Sequence, residues 1–174
     1  MKSGLGCDKE GTQRIPIMSE WRKRIRIGVV GGSSPDDRAI LAAFRVGQAI
    51  GEAGAILVCG GLGGVMEAAA SGAKKAGGLT IGILPGTQPG EANPFIDLAI
   101  ATGLGYGRNS LVALNADVLI AVAGEFGTLS EIAYANIYRK KVIGLDTWEV
   151  KGVTRARTPE EAVQMALNEC AQSS

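Results

Sequence analysis

Apolar residues in this chain come in short unbroken runs separated by amphipathic stretches. Ile25 to Gly31, Ala55 to Cys59, Leu79 to Leu84, Phe95 to Ala101, Val118 to Ala123 and Val142 to Leu145 read as strands. Because these runs are continuous and do not alternate with polar residues, they predict a parallel sheet covered on both faces. Helices fill the intervals. The first starts at Ser34, an N-cap followed by Pro35, and runs to about Ala53 with Ile40, Leu41, Phe44, Ala49 and Ile50 on its apolar face. The second spans Val65 to Ala76 and carries a narrow face of Met66, Ala69, Ala70 and Ala73. Others cover about Arg108 to Asn115, Thr128 through Arg139, and Thr158 to Cys170. Strand and helix alternate almost without exception, which predicts an α/β fold: a Rossmann-like, doubly wound parallel sheet of six to seven strands in a single domain.

That domain is expected over residues 25–174. Residues 1–24 show no periodicity and are expected to be a flexible tail, within which Met18 offers an alternative start. Glycine punctuates the ends of the strands: Gly31-Gly32-Ser33-Ser34, Gly60-Gly61-Leu62-Gly63-Gly64, Gly103 to Gly107, and Gly124-Glu125-Phe126-Gly127. In parallel sheets ligands bind outside the carboxyl ends of the strands, and a glycine turn opening a helix presents free N–H groups to a phosphate. A purely structural reading stands beside this one. Thr128-Leu129-Ser130-Glu131 fits a capping box, and Ser33 and Ser34 fit helix caps. The long polar loop from Pro85 to Pro94 has the length of a functional lid.

Composition narrows the chemistry. The 174 residues are 46% hydrophobic but only 5% aromatic, so the core is built from Val, Ile, Leu and Ala. A net charge of +1 gives no global attraction to nucleic acid or membrane, and neither is expected as a partner. Histidine is absent, which removes Ser-His-Asp and Cys-His catalysis and imidazole metal sites, and no protein metal site is expected. Cys7, Cys59 and Cys170 are odd in number and unpaired in spacing, as suits a reducing cytoplasm. No run is long enough to span a bilayer. The dinucleotide fingerprint is missing, Cys59-Gly60 stands where a ribose-binding acid belongs, and no phosphate loop of the G-x-x-x-x-G-K type occurs.

Gly31-Gly-Ser-Ser34, Gly60-Gly-Leu-Gly-Gly-Val-Met-Glu67, Arg108-Asn109 and Gly124-Glu-Phe-Gly-Thr-Leu-Ser-Glu131 together resemble the LOG-like Rossmann superfamily. That superfamily includes cytokinin-activating phosphoribohydrolases, molybdenum cofactor carrier proteins and chains once labelled lysine decarboxylases. The likeness covers about residues 25–147 and is nearest to small bacterial members similar to the cofactor carriers. The hydrolases carry P-G-G-x-G-T-x-x-E with an R-K pair one helix earlier. The resemblance implies that Gly124, Glu125, Gly127 and Thr128 hold a ligand phosphate, with Gly32, Ser33, Ser34, Gly60, Gly61, Gly63, Gly64 and Glu67 completing the site. Arg108 would hold the substrate, and Glu131 would lie beside the ribose anomeric carbon. This chain departs from the pattern at three places: Ala123 replaces the proline, Glu125 the second glycine and Asn109 the lysine. A lysine decarboxylase would need a Schiff-base lysine, yet Lys74, Lys75, Lys140 and Lys141 all lie away from the binding edge.

The sequence therefore leads to a cytoplasmic, carrier-like binder of a phosphorylated heterocycle, either a nucleotide or a molybdopterin-type cofactor taken as cargo. Its alternative is a nucleoside 5′-monophosphate phosphoribohydrolase in which Arg108 and Glu131 are catalytic. Magnesium is a possible companion, bridging Glu125 and a bound phosphate. Leu111, Val112, Leu114, Leu129, Ile132, Tyr134 and Ile137 offer more apolar surface than one sheet face covers, and the superfamily resemblance also points to a homodimer or tetramer.

Overall fold

The computed structural model describes residues 24–172, so the expectation for the N-terminal tail falls, apart from Arg24, outside the described residues. One parallel sheet runs in the order β4-β3-β2-β1-β5-β6-β7. Its strands are β1 (Arg26–Gly31), β2 (Ile56–Cys59), β3 (Leu79–Leu84), β4 (Leu98–Ala101), β5 (Val118–Val122), β6 (Lys141–Leu145) and β7 (Val153–Arg155). The helices are α1 (Asp37–Glu52), α2 (Val65–Lys75), α3 (Asn109–Asn115), α4 (Phe126–Ile137) and α5 (Pro159–Gln172). The expected Rossmann-like α/β class is the fold observed, with the full seven strands. Among the described residues no helix is long and apolar enough to cross a membrane.

Successive strand residues serve opposite faces. Ile27 and Val29 of β1, with Val118, Ile120 and Val122 of β5, pack into one core beneath α1, α2 and α5. Val30, Leu119 and Ala121 pack into the other, beneath Val112 and Ala113 of α3 and Ile132 and Ala135 of α4. Both faces are buried, which is why these strands read as unbroken apolar runs. Of the apolar residues expected to be left over on α3 and α4, Val112 and Ile132 are buried in this core, whereas Leu114 and Ile137 remain exposed.

The chain lays down β1 to β4 toward one edge, then returns to place β5 against the free side of β1. The loops leaving β1 and β5 then diverge, one to α1 and the other to α4, on opposite faces of the sheet. A crevice at their carboxyl ends is the geometric result.

Several local features differ from the sequence expectation. Asp36, not Ser34, caps α1: its Oδ1 accepts from the Ala39 N–H at 2.8 Å. Aspartate caps as well as serine and adds a charge that favours the helix start. β4 begins at Leu98, because Asp97 turns its side chain to accept from the Thr80 N–H at 3.0 Å and Oγ1 at 3.1 Å. Asn93 is committed likewise, its Nδ2 donating to the Gly61 and Leu62 carbonyls. β7 is three residues long at an exposed sheet edge, too short to leave a periodic signal.

Helices α1 and α2 meet with almost no side chain between them. A methyl group at Gly47 would overlap the carbonyl oxygen of Ala69. Gly47→Ala gains up to about 1 kcal/mol of helix propensity. The overlap outweighs it, so a net destabilisation on the order of 1–3 kcal/mol is expected, read from the urea midpoint.

Candidate functional site

β5 ends at Val122, and the chain then turns through two left-handed residues, Ala123 at φ 47° and Gly124 at φ 111°. The Ala123 N–H donates to Leu145 O at 2.9 Å. Proline fits neither feature, since its φ is fixed near −65° and it has no N–H. Ala123 therefore marks a different local backbone from a P-G-G turn. The loop after β6 clamps this turn: the Thr147 hydroxyl donates to Ala123 O, and Trp148 Nε1–H donates to Glu125 O at 3.2 Å.

Helix α4 starts at Phe126, two residues ahead of the expected start, with Glu125 at the N-cap position and no side-chain cap bond. The capping box does not form. Thr128 instead lies inside the first turn, 2% exposed, and its Oγ1 has no hydrogen-bond partner. A Cβ at Gly124 would collide with that same Oγ1.

Arg108 closes a short 3-10 turn, Gly105–Arg108, that leads into α3. Two acids that could have paired with this arginine on sequence grounds are engaged elsewhere, Asp97 with Lys74 and Asp117 with Arg26. Arg108 is 7% exposed and places its Nη1 3.4 Å from Oε1 of Glu131, which is 5% exposed. Its Nε has no partner. Gly60 forms its seat, because a Cβ there would run into the guanidinium. Burial pushes the Glu131 carboxyl up to about 8, with Arg108 opposing the shift. The same desolvation lowers the pKa of Arg108, against the pull of Glu131 and Cys59. Cys59, wholly buried, is pushed up to about 12 by its burial and is an inert thiol near neutrality.

Asn109, the residue in the lysine position, turns its amide into the protein. Its Nδ2 donates to Ser130 Oγ at 2.9 Å and toward Gly127 O at 3.4 Å, tying α3 to the start of α4.

These groups border one cleft of about 520 Å³ at the β1–β5 crevice. Of the residues expected at a site, Gly32, Ser33, Arg108, Glu125, Gly127, Thr128 and Glu131 line it. Ser34, Gly60, Gly61, Gly63, Gly64, Glu67 and Gly124 are not in its lining. Gly60 and Gly124 act on it indirectly, through Arg108 and Thr128. Gly64 instead lets α2 approach the Gly32–Ser33 backbone. Glu67 borders a separate groove with Phe44 and Phe95. Sequence reasoning missed Leu62, Met66, Phe126 and Ser130 in the lining, and Thr147 and Trp148 behind it. Phe126 alone carried a signal, as an aromatic inside a glycine turn. Among the described residues no group of three or more His, Cys, Asp or Glu side chains is placed to hold a metal ion.

The buried carboxyl links stability to pH. Folding raises the Glu131 pKa from 4.5 to about 8, so the native state binds more protons than the unfolded chain between those values. The favourable contribution at low pH is lost as pH rises through that window. Glu131→Gln should flatten this segment of the profile, so that wild type loses stability relative to the variant between pH 5 and about 8.5. Denaturant titrations of both proteins across that range test it. Gly60→Ala should displace the guanidinium from its seat and destabilise the fold by on the order of 1–3 kcal/mol, read from the urea midpoint.

Comparison with known proteins adds three likenesses. The molybdenum cofactor binding protein of Rippkaea orientalis superposes with a TM-score of 0.81 at 37% identity, over 85% of this chain and 98% of that one. The Moco carrier protein of Chlamydomonas reinhardtii superposes at 0.79 with 34% identity, over 86% and 99%. The cytokinin riboside 5′-monophosphate phosphoribohydrolase of Mycobacterium tuberculosis is 31% identical over 146 residues, 78% of this chain and 75% of the relative. The family match covers residues 24–172, across all seven strands and the cleft they build, and this chain belongs to the SLOG cluster4 family.

Proposed function

We propose that this protein binds a phosphorylated heterocyclic ligand in the β1–β5 cleft and acts as its carrier, the ligand being a nucleotide or a molybdopterin-type cofactor. One observation carries the reading. Arg108 Nε and Thr128 Oγ1 are buried polar atoms without partners, and both belong to residues lining the same cleft. Leaving one such group unpaired costs about 1–3 kcal/mol, and more when it is charged. Phosphate oxygens would accept from both. The first-turn N–H groups of α4, which no side chain caps, add donors at the positive end of the helix. The relatives named for molybdenum cofactor support a carrier. So does Asn109, whose amide is spent on Ser130 and Gly127 and leaves Arg108 the single cation in the lining.

A second reading, a phosphoribohydrolase, is favoured by the mycobacterial relative and by Glu131 beside Arg108 in the cleft. There Glu131 would stabilise positive charge at the anomeric carbon, Arg108 would hold the phosphate or aid departure of the base, and water would be the nucleophile. Since Glu131 must be ionised for this role, activity would rise with pH toward about 8.

Native mass spectrometry of the purified protein separates the readings when run with an AMP incubation assayed for free adenine. A carrier retains a phosphorylated heterocycle and releases no adenine. Arg108→Ala should weaken AMP binding by about 1.5–3 kcal/mol, the range for a charge-assisted hydrogen bond, and Glu131→Gln should weaken it less. Glu125→Gly should strengthen AMP binding in the absence of metal, by on the order of 1–3 kcal/mol, and lose that advantage with magnesium present. Calorimetry on both proteins with and without magnesium reads the difference, and equal affinities throughout would place Glu125 outside the site.

A further inference from the structure

Tyr106 and Phe126 are 90% and 79% exposed, and they are the two exposed aromatic side chains among the described residues. Folding makes no use of that apolar surface, although burying a side chain such as Phe is worth about 1.5–3 kcal/mol. Both line the cleft. Each also precedes by two residues one of the unpartnered buried groups: Tyr106 stands before Arg108, and Phe126 before Thr128. The pairing recurs on two elements, the 3-10 turn before α3 and the first turn of α4. Trp148 holds the second of these aromatics in place. Its ring lies 5.7 Å from that of Phe126 at an interplanar angle of 39°, while its Nε1–H fixes the carbonyl of Glu125 next door.

We infer that Tyr106 and Phe126 form a stacking platform for the ligand's planar nitrogen heterocycle, and that this platform, more than the phosphate contacts, sets which ligands the cleft accepts. The inference rests on the phosphate-binding reading above. A ligand anchored by its anion on Arg108 and Thr128 must leave toward solvent past the exposed residues of the lining, Ser33, Glu125, Tyr106 and Phe126, and of these the two aromatics offer a flat apolar face. Stacking suits a flat, electron-poor ring and is tolerant of its hydrogen-bonding pattern, so the platform selects for planarity and not for one base. Trp148 restricts Phe126, which reduces the rotamer entropy lost when a ring docks.

The test compares AMP and neopterin monophosphate with ribose 5-phosphate, which has the anion but no ring. Calorimetry on the full-length protein is expected to show both ring-bearing probes binding at least about tenfold tighter than ribose 5-phosphate. Tyr106→Ala and Phe126→Ala should each cut that preference by about five- to tenfold while leaving ribose 5-phosphate affinity unchanged. Phe126→Tyr should retain the preference and Phe126→Leu should lose it. In a Trp21→Phe background, where Trp148 is the remaining tryptophan, the ring-bearing probes should change its fluorescence and ribose 5-phosphate should not. Ribose 5-phosphate binding as tightly as AMP and neopterin monophosphate would overturn the platform while leaving the phosphate site standing. Failure of all three probes to bind would overturn the phosphate site and the platform together. If the alanine variants keep the ring preference but fall to a lower mass in size-exclusion chromatography, the aromatics belong to an interface between copies, and the inference is wrong.

Discussion

Arg108 and Glu131 face one another at 3.4 Å with almost no access to water. A buried pair of this kind is costly to desolvate, and its geometry here is loose, with one nitrogen engaged and Nε left over. Neither the position of the pair nor its burial is an accident of packing. Arg108 is set down by the turn before α3 and lies against Gly60 at the end of β2, while Glu131 is buried on α4, the helix that β5 feeds. The pair thus joins three segments far apart in the chain at the one place where the sheet order reverses. A charge held there, short of a full set of partners, is the feature on which the proposed phosphate site rests.

The surroundings are arranged to keep that charge available. Asn109 spends its amide on Ser130 and Gly127, which locks α3 to α4 but adds no cation. Ala123 and Gly124 take left-handed backbone, and the loop after β6 pins the turn through Thr147 and Trp148. The first turn of α4 is therefore positioned by two loops, and its own side chains are free of capping duty. Glu125 stands at that helix start without capping it, so an acid sits where the helix dipole favours negative charge and where a phosphate would also be drawn. Under the proposed reading such competition would moderate affinity, which suits a carrier that must release its cargo.

The sheet was legible from the sequence alone. Six of its strands announce themselves as runs dominated by Val, Ile, Leu and Ala; in β2 and β5 every residue is buried, which favours such runs, and β3 matches its expected bounds from Leu79 to Leu84. The order of the glycine turns, with Arg108 and Glu131 between and after them, was likewise readable, since these residue types have few other uses at a strand's carboxyl end. β7 and the late start of β4 were not readable. One is too short to show a period, and the other depends on Asp97 finding Thr80 across the neighbouring strand.

Tertiary structure alone decided what the motif residues do. Thr128-Leu-Ser-Glu131 fits a capping box by spacing, and its spacing is silent about Arg108, which folding brings from 23 residues away to claim Glu131. Gly60 and Gly124 look like phosphate-loop glycines, yet they lie outside the cleft lining and make room for Arg108 and Thr128. Local sequence specifies turns, caps and apolar periods, because those energies arise among neighbours in the chain. Which polar atoms end up buried without a partner depends on where every other donor and acceptor has gone, and that is settled only when the sheet closes over them.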